Sequence, residues 1–197
     1  MQLESIKDII QQNISVKQAI LSDNNILQTV ASVVTLITAT FQKGNKVLFC
    51  GNGGSAADAQ HLAAEFSGRF YTDRNPLPSE ALHCNTSFLT AVGNDYGFDF
   101  VYSRMIQGIG KEGDILVGLS TSGNSPNILN AFEMSKSIGV TTIGMTGQTG
   151  GKLKSLSDHI IAIPSTDTPR IQESHILIGH IICQLVEANL FNTYKIV

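Results

Sequence analysis

The sequence predicts an α/β protein: a three-layer αβα sandwich around a mostly parallel sheet of about five strands, with additional N-terminal and C-terminal helices. Short, nearly continuous apolar runs recur at Val47–Cys50, Ala81–Cys84, Ile115–Leu119, Thr142–Met145 and His159–Ile163, as strands buried on both faces do. Helical patterns separate these runs, and alternation of strand with helix is the signature of parallel βα units. Polar, glycine-bearing segments follow several of the runs, where ligands sit on an open parallel sheet.

Taken in order, residues 1–43 form a helical segment. Leu3, Ile6, Ile10 and Ile14 recur at helical spacing, a break falls at Ser22–Asn25, and Ile26 to Phe41 resumes the pattern until Gly44 stops it. So much apolar surface on peripheral helices calls for a sheet or a second subunit to cover it. Residues 44–169 form the βα core, with helices over Ser55–Ser67, Phe98–Ile109, Ser125–Ile138 and Lys152–Leu156. Residues 170–190 form a last helix, about Arg170–Asn189, apolar nearly all round after its first turn. No internal repeat or linker interrupts the chain, which reads as one domain over residues 1–197.

Composition removes several classes of function. Charged residues make up 15% of the chain and the formal net charge is −3, with no dense Lys/Arg run, so nucleic acid is not the expected partner. The N-terminus lacks the basic, apolar and small-residue order of a leader. The apolar stretches are interrupted by Asn, His, Gln or Glu before they reach the ~20 residues that span a bilayer. Cys50, Cys84 and Cys183 are widely spaced in apolar surroundings, so buried, reduced thiols and a cytoplasmic location are expected.

The chemistry concentrates in loops. Cys50-Gly51-Asn52-Gly53-Gly54-Ser55 joins the first strand to a helix. Its glycines let backbone amides approach a ligand at the positive helix end, and Ser55 is placed to cap that helix, with Asp58 three residues on. Its glycine spacing differs from the dinucleotide fingerprint. The loop Ser120-Thr121-Ser122-Gly123-Asn124-Ser125 has the same logic with more donors, and Pro126 follows in the first helical turn. A phosphate there meets N–H groups, hydroxyls and the helix dipole together. With no lysine in the loop, a monophosphate ester fits better than a nucleoside triphosphate. Thr146-Gly147-Gln148-Thr149-Gly150-Gly151-Lys152, after the fourth strand, is expected at the same rim.

Titratable groups supply the next layer. His61 and Glu65 lie four residues apart on the helix after GNGGS, with Arg69 continuing the row. His180 lies deep in the apolar C-terminal helix beside Gly179, and His175, nearer its polar start, reads as a helix-surface or interface histidine. Glu65 and His180 form a workable acid/base pair. His61, Glu65, Gln172 and His180 also form a set suited to a divalent ion, zinc above all. Gln172 and His180 are separated by about 12 Å along a straight helix, so their side chains must lean together or come from different subunits.

The segments GNGGSAADAQHLAAEFSGRF, AVGNDYGFD, LSTSGNSPN, MTGQTGGK and RIQESHILIGHIICQLVE together resemble bacterial phosphoheptose isomerases, within the larger class of sugar isomerase domains. STSGNS alone indicates only the broad class; GNGGS with His61 and Glu65, and RIQE with His180, narrow it. The resemblance implies conversion of D-sedoheptulose 7-phosphate to D-glycero-D-manno-heptose 7-phosphate for lipopolysaccharide core or related surface glycans. It implies a homotetramer with active sites between subunits, and zinc, one ion per subunit. By motif position, it assigns Ser55, Ser120, Thr121, Ser122 and Ser125 to the phosphate end. Asn52, Gly53, Gly54, Arg69, Asn94, Asp95 and Gln172 fall to the rest of the substrate, Glu65 and His180 to catalysis. His61, Glu65, Gln172 and His180 match the metal ligands. Pro169 departs from the pattern, standing where some relatives carry an acidic residue. The alternatives are a non-catalytic scaffold of the same fold that assists a replication initiator, a phosphosugar-sensing regulator, and an isomerase of another ketose phosphate.

Overall fold

The structure is a computed structural model that describes residues 2–192. A helical hairpin opens the chain, α1 (Gln2–Ser22) and α2 (Asn24–Gln42), broken where the Asp23 side chain accepts from the Asn25 and Ile26 amides. Then follow β1 (Val47–Gly51), α3 (Gly54–Ser67), β2 (Ser79–Ala81), α4 (Thr86–Tyr96), a 3-10 turn (Phe98–Phe100) and α5 (Val101–Ile109). The second half comprises β3 (Ile115–Ser120), α6 (Pro126–Ser137), β4 (Thr141–Thr146), α7 (Leu153–Leu156), β5 (His159–Ala162) and α8 (Thr168–Phe191).

The five strands pair in parallel in the order β2-β1-β3-β4-β5. Alternate side chains of β1 and β3 enter two separate cores. Val47, Phe49, Ile115, Val117 and Leu119 pack with α2, α3 and α8, whereas Leu48, Cys50 and Leu116 pack with α4, α5 and α6. The expected three-layer sandwich is therefore formed, with α1 lying outside it and held to α8. Arg170 donates to the Ile9 carbonyl and to Glu173, Asn13 donates to Glu173, and Lys17 donates to Ser174.

Three local expectations are corrected. The second strand ends at Ala81 rather than Cys84, which leaves Cys84 in the following turn and exposed, while Cys50 and Cys183 are buried as expected. Helix α4 was not anticipated, although the Asn85 side chain caps it and Phe88, Leu89 and Val92 give it an inward face. Ser55 does not cap α3; Gly53 holds that position with φ +56°. By length and apolar character α8 could cross a bilayer. Its buried stripe, however, includes Ser174, His175 and Glu187, and it packs against α2 and α3.

Candidate active site

The strand order reverses direction between β1 and β3, so the loops that leave their carboxyl ends diverge to opposite faces and open a crevice. The two loops are joined across it. Asn52 donates to Asn127 and Asn127 donates back to Asn52, both at 2.9 Å, fixing the orientation of both amides. Sequence reasoning missed Asn127, which is buried in the first turn of α6; its place directly after the STSGNSP segment was the only signal.

The serine loop is folded tightly. Ser120 Oγ and Ser125 Oγ lie 3.0 Å apart, Gly123 N–H donates to the Ser120 carbonyl, and Asn124 folds back on Ser122. Gly123 has φ +65°, and a Cβ on it would fall 2.1 Å from the Gly150 carbonyl oxygen, so only glycine fits. The Thr146–Lys152 loop is thus part of the rim. Gly147 N–H donates to the Thr121 carbonyl and Lys152 N–H to Asn124 Oδ1. An open cleft of about 320 Å³ lies between Thr121, Ser122, Gly147, Thr149, Ser165 and Thr168. Among the described residues, the Ser55 and Thr121 hydroxyls have no hydrogen-bond partner, which leaves them for a ligand.

A second cluster lies farther along α3. His61 Nε2 stands 3.0 Å from Glu65 Oε1 and 3.1 Å from His180 Nε2, and donor atoms of all three lie within 4.8 Å of one another. The i,i+4 spacing on α3 sets the first contact; α8 brings the third residue from the other end of the chain. The two helices run side by side in one direction. Gln172 faces Gly54, where a Cβ would stand 2.8 Å from its Nε2, and Gly179 faces Leu62, where a Cβ would stand 2.5 Å from Leu62 Cδ2. Gly179 thus permits the approach that joins His180 to His61. Gly54 and His61 are seven residues apart, about 10 Å along α3. Within one chain Gln172 therefore stands at the level of the GNGGS loop, and His61, Glu65 and His180 gather two turns beyond.

Other groups around the cluster escaped the sequence. Asp58 lies one turn before His61; burial raises its carboxyl pKa, with His61 and His180 pulling it back. Phe70 packs its ring 5.7 Å from that of His180, and Glu187 holds the Phe70 segment in place. It accepts from the Phe70, Tyr71 and Thr72 amides and from Arg74 Nε at 2.8–3.1 Å. Burial pushes the Glu187 carboxyl up, but these donors outweigh it and hold it below the ordinary glutamate value.

Two predicted positions are corrected. α3 ends at Ser67, so Arg69 leaves the His61–Glu65 row and projects into solvent. His175 is fully buried rather than on a helix surface, with Nε2 3.1 Å from the Thr146 carbonyl oxygen. Asn94 and Asp95 lie exposed on α4, hydrogen-bonded to each other and to neither cluster.

The SIS-domain family model matches residues 14–147, which makes the chain a SIS-domain protein, a class in keeping with its open parallel sheet and the hydroxyl- and glycine-rich loops at the switch point. Within that class, the chain belongs to the phosphoheptose isomerases. It is 56% identical over 186 residues to phosphoheptose isomerase of Aneurinibacillus thermoaerophilus, covering 94% of each chain. It is 50% identical over 182 residues to that of Clostridium acetobutylicum, covering 92% of this chain and 93% of the other. The solved structure of phosphoheptose isomerase from Neisseria gonorrhoeae matches with a TM-score of 0.89 at 38% identity, over 95% of this chain and 100% of that one.

Proposed function

We propose that this chain interconverts D-sedoheptulose 7-phosphate and D-glycero-D-manno-heptose 7-phosphate by proton transfer through a cis-enediol. One observation carries the reading: α3 and α8, about a hundred residues apart in sequence, bring Glu65, His61 and His180 into one cluster. A scaffold that only binds would have no need to gather two imidazoles and a carboxylate.

The phosphate end sits against Ser55, Ser120, Thr121, Ser122 and Ser125, where two helix N-termini and two unpartnered hydroxyls stabilise a dianion. Asn52, Gly53, Gly54 and Gln172 line the adjoining sugar, with Arg69, Asn94 and Asp95 contributed across a subunit contact. Their exposure in one chain supports a homotetramer with composite sites.

Glu65 removes a proton from C1 of the ketose, and His180 donates a proton to the carbonyl oxygen at C2, giving the enediol. His180 then takes the O1 proton as Glu65 returns its proton to C2, so one proton moves from C1 to C2 and one from O1 to O2. The donor set of two imidazoles and a carboxylate fits zinc, and these three with Gln172 of a neighbouring subunit would hold it. When bound, zinc would polarise the substrate oxygens as a Lewis acid. Glu65 engages the cluster through Oε1, which leaves Oε2 for the proton. The product supplies heptose for surface glycans, a cytoplasmic biosynthetic step.

The test is a coupled isomerase assay across phosphorylated ketoses of five, six and seven carbons, with and without chelator. Turnover of the seven-carbon ketose above the others, reduced by chelator and restored by zinc, is expected. No turnover of sedoheptulose 7-phosphate in either condition would sink the reading and favour a scaffold.

A further inference from the structure

We propose that His175 is a positioning residue for this isomerisation, a latch that holds α8 in register with the phosphate-binding rim. The proposal rests on the isomerase reading above. His175 is completely buried. Its Nε2–H donates to the Thr146 carbonyl at 3.1 Å, and its Nδ1 is buried without a partner. Burial lowers its pKa to about 4, so the ring is neutral at physiological pH. A bare buried acceptor is a cost that an apolar side chain of similar volume would avoid. Nor does the sheet need the bond, because the Thr146 carbonyl already accepts from Ile163 N–H at 2.9 Å. What the imidazole adds is a directional tie between the end of β4 and the second turn of α8.

That tie governs the rim. The residue after Thr146 is Gly147, whose N–H braces the Thr121 carbonyl of the serine loop at 3.0 Å. Gly147 is also wedged against α8: a Cβ there would stand 2.7 Å from Ile171 Cδ1 and 2.8 Å from the Thr121 carbonyl oxygen. Ile171 and His175 are one turn apart, so the helix touches β4 and its loop at two successive points, and both its phase and its height are fixed. Gln172, on the same turn, then meets Gly54 of the GNGGS loop. A rotation of α8 that this bond prevents would move Gln172 off Gly54 and Ile171 off Gly147 together.

Leucine at this position leaves the Thr146 carbonyl paired and removes the bare nitrogen, so His175→Leu is expected to fold with near wild-type thermal stability. Its KM for sedoheptulose 7-phosphate should nonetheless rise about tenfold with kcat changed less than threefold. Backbone amides of Gly123 and Gly147 should exchange hydrogen faster. His175→Gln places an amide N–H near the position of Nε2 and should restore KM to within about twofold, together with slow exchange; His175→Asn, whose amide is too short, should not. Wild-type KM and exchange in His175→Leu would overturn the proposal, as would Gln no better than Asn, a comparison that still decides if the leucine variant does not fold. Should the wild-type protein show no turnover at all, the isomerase reading fails, and the exchange rates alone judge the latch.

Discussion

In the proposed mechanism Glu65 uses its two oxygens differently, one facing His61 and one serving as the base toward the substrate carbon. Replacing it with glutamine keeps the shape and removes the base, so turnover should fall by about 10²- to 10⁴-fold, while inhibition by inorganic phosphate stays within about threefold of wild type. Near-normal turnover in a coupled assay would refute the assignment. His175 makes a different prediction, about stability. Its folded-state pKa of about 4 lies below the ordinary histidine value, so the unfolded chain binds the proton more readily. The contribution to stability is full above pH ~6.5 and is lost as pH falls toward 4, by up to roughly 3 kcal/mol. Denaturant titrations between pH 7 and 4 should show this slope in the wild type and a shallower one in His175→Gln.

At the scale of elements, the contact of α3 with α8 decides whether the cluster exists. Gly179→Ala would push a methyl into Leu62, at a cost of about 1–3 kcal/mol by overpacking. The same displacement would draw His180 from His61, so turnover should fall more than the lost stability alone explains; a variant of wild-type activity would show that the close approach is not needed. The segment after α3 depends on the buried pair of Glu187 and Arg74, whose side chains are 3% and 2% exposed. Arg74 also donates to the carbonyls of Glu65, Phe66, Gly68 and Asn75. Arg74→Ala therefore strands a buried carboxylate and several carbonyls, and a loss of about 3–5 kcal/mol is expected in chemical denaturation.

For the whole molecule, α1 leaves Leu3, Ile6, Ile10 and Ile14 each at least half exposed, an apolar stripe that the described chain does not cover. The composite-site reading gives it a second copy of the chain as partner. Light scattering should find a tetramer in the wild type and smaller species after Ile6→Glu with Ile10→Glu. Activity should fall with the tetramer fraction, because Arg69, Asn94 and Asp95 would no longer meet the other residues of the site. A monomeric wild-type protein that retains full turnover would remove the intersubunit site.

The layer order, the alternation of strand and helix, and the two polar loops were legible because each is written in local sequence. Continuous apolar runs mark Val47, Ile115 and Thr142, and glycine with hydroxyl residues marks the turns that follow. Helix α4 was missed, because Gly93 and Asn94 obscured the inward spacing of Phe88, Leu89 and Val92. Burial of His175 was not legible, because α8 is apolar on nearly every side and no polar face shows which stripe turns to the sheet. Arg69 was misplaced because the row from His61 runs on at helical spacing, whereas the helix ends at Ser67. The sequence by itself determined which chemical groups are present and that parallel strands would deliver their loops to one rim. Only the tertiary structure decided that Asn52 pairs with Asn127, that His180 meets His61, and that Gln172 stands about two helical turns away. Those contacts join residues 75 to 119 positions apart in sequence, and their distances depend on how closely two helices pack.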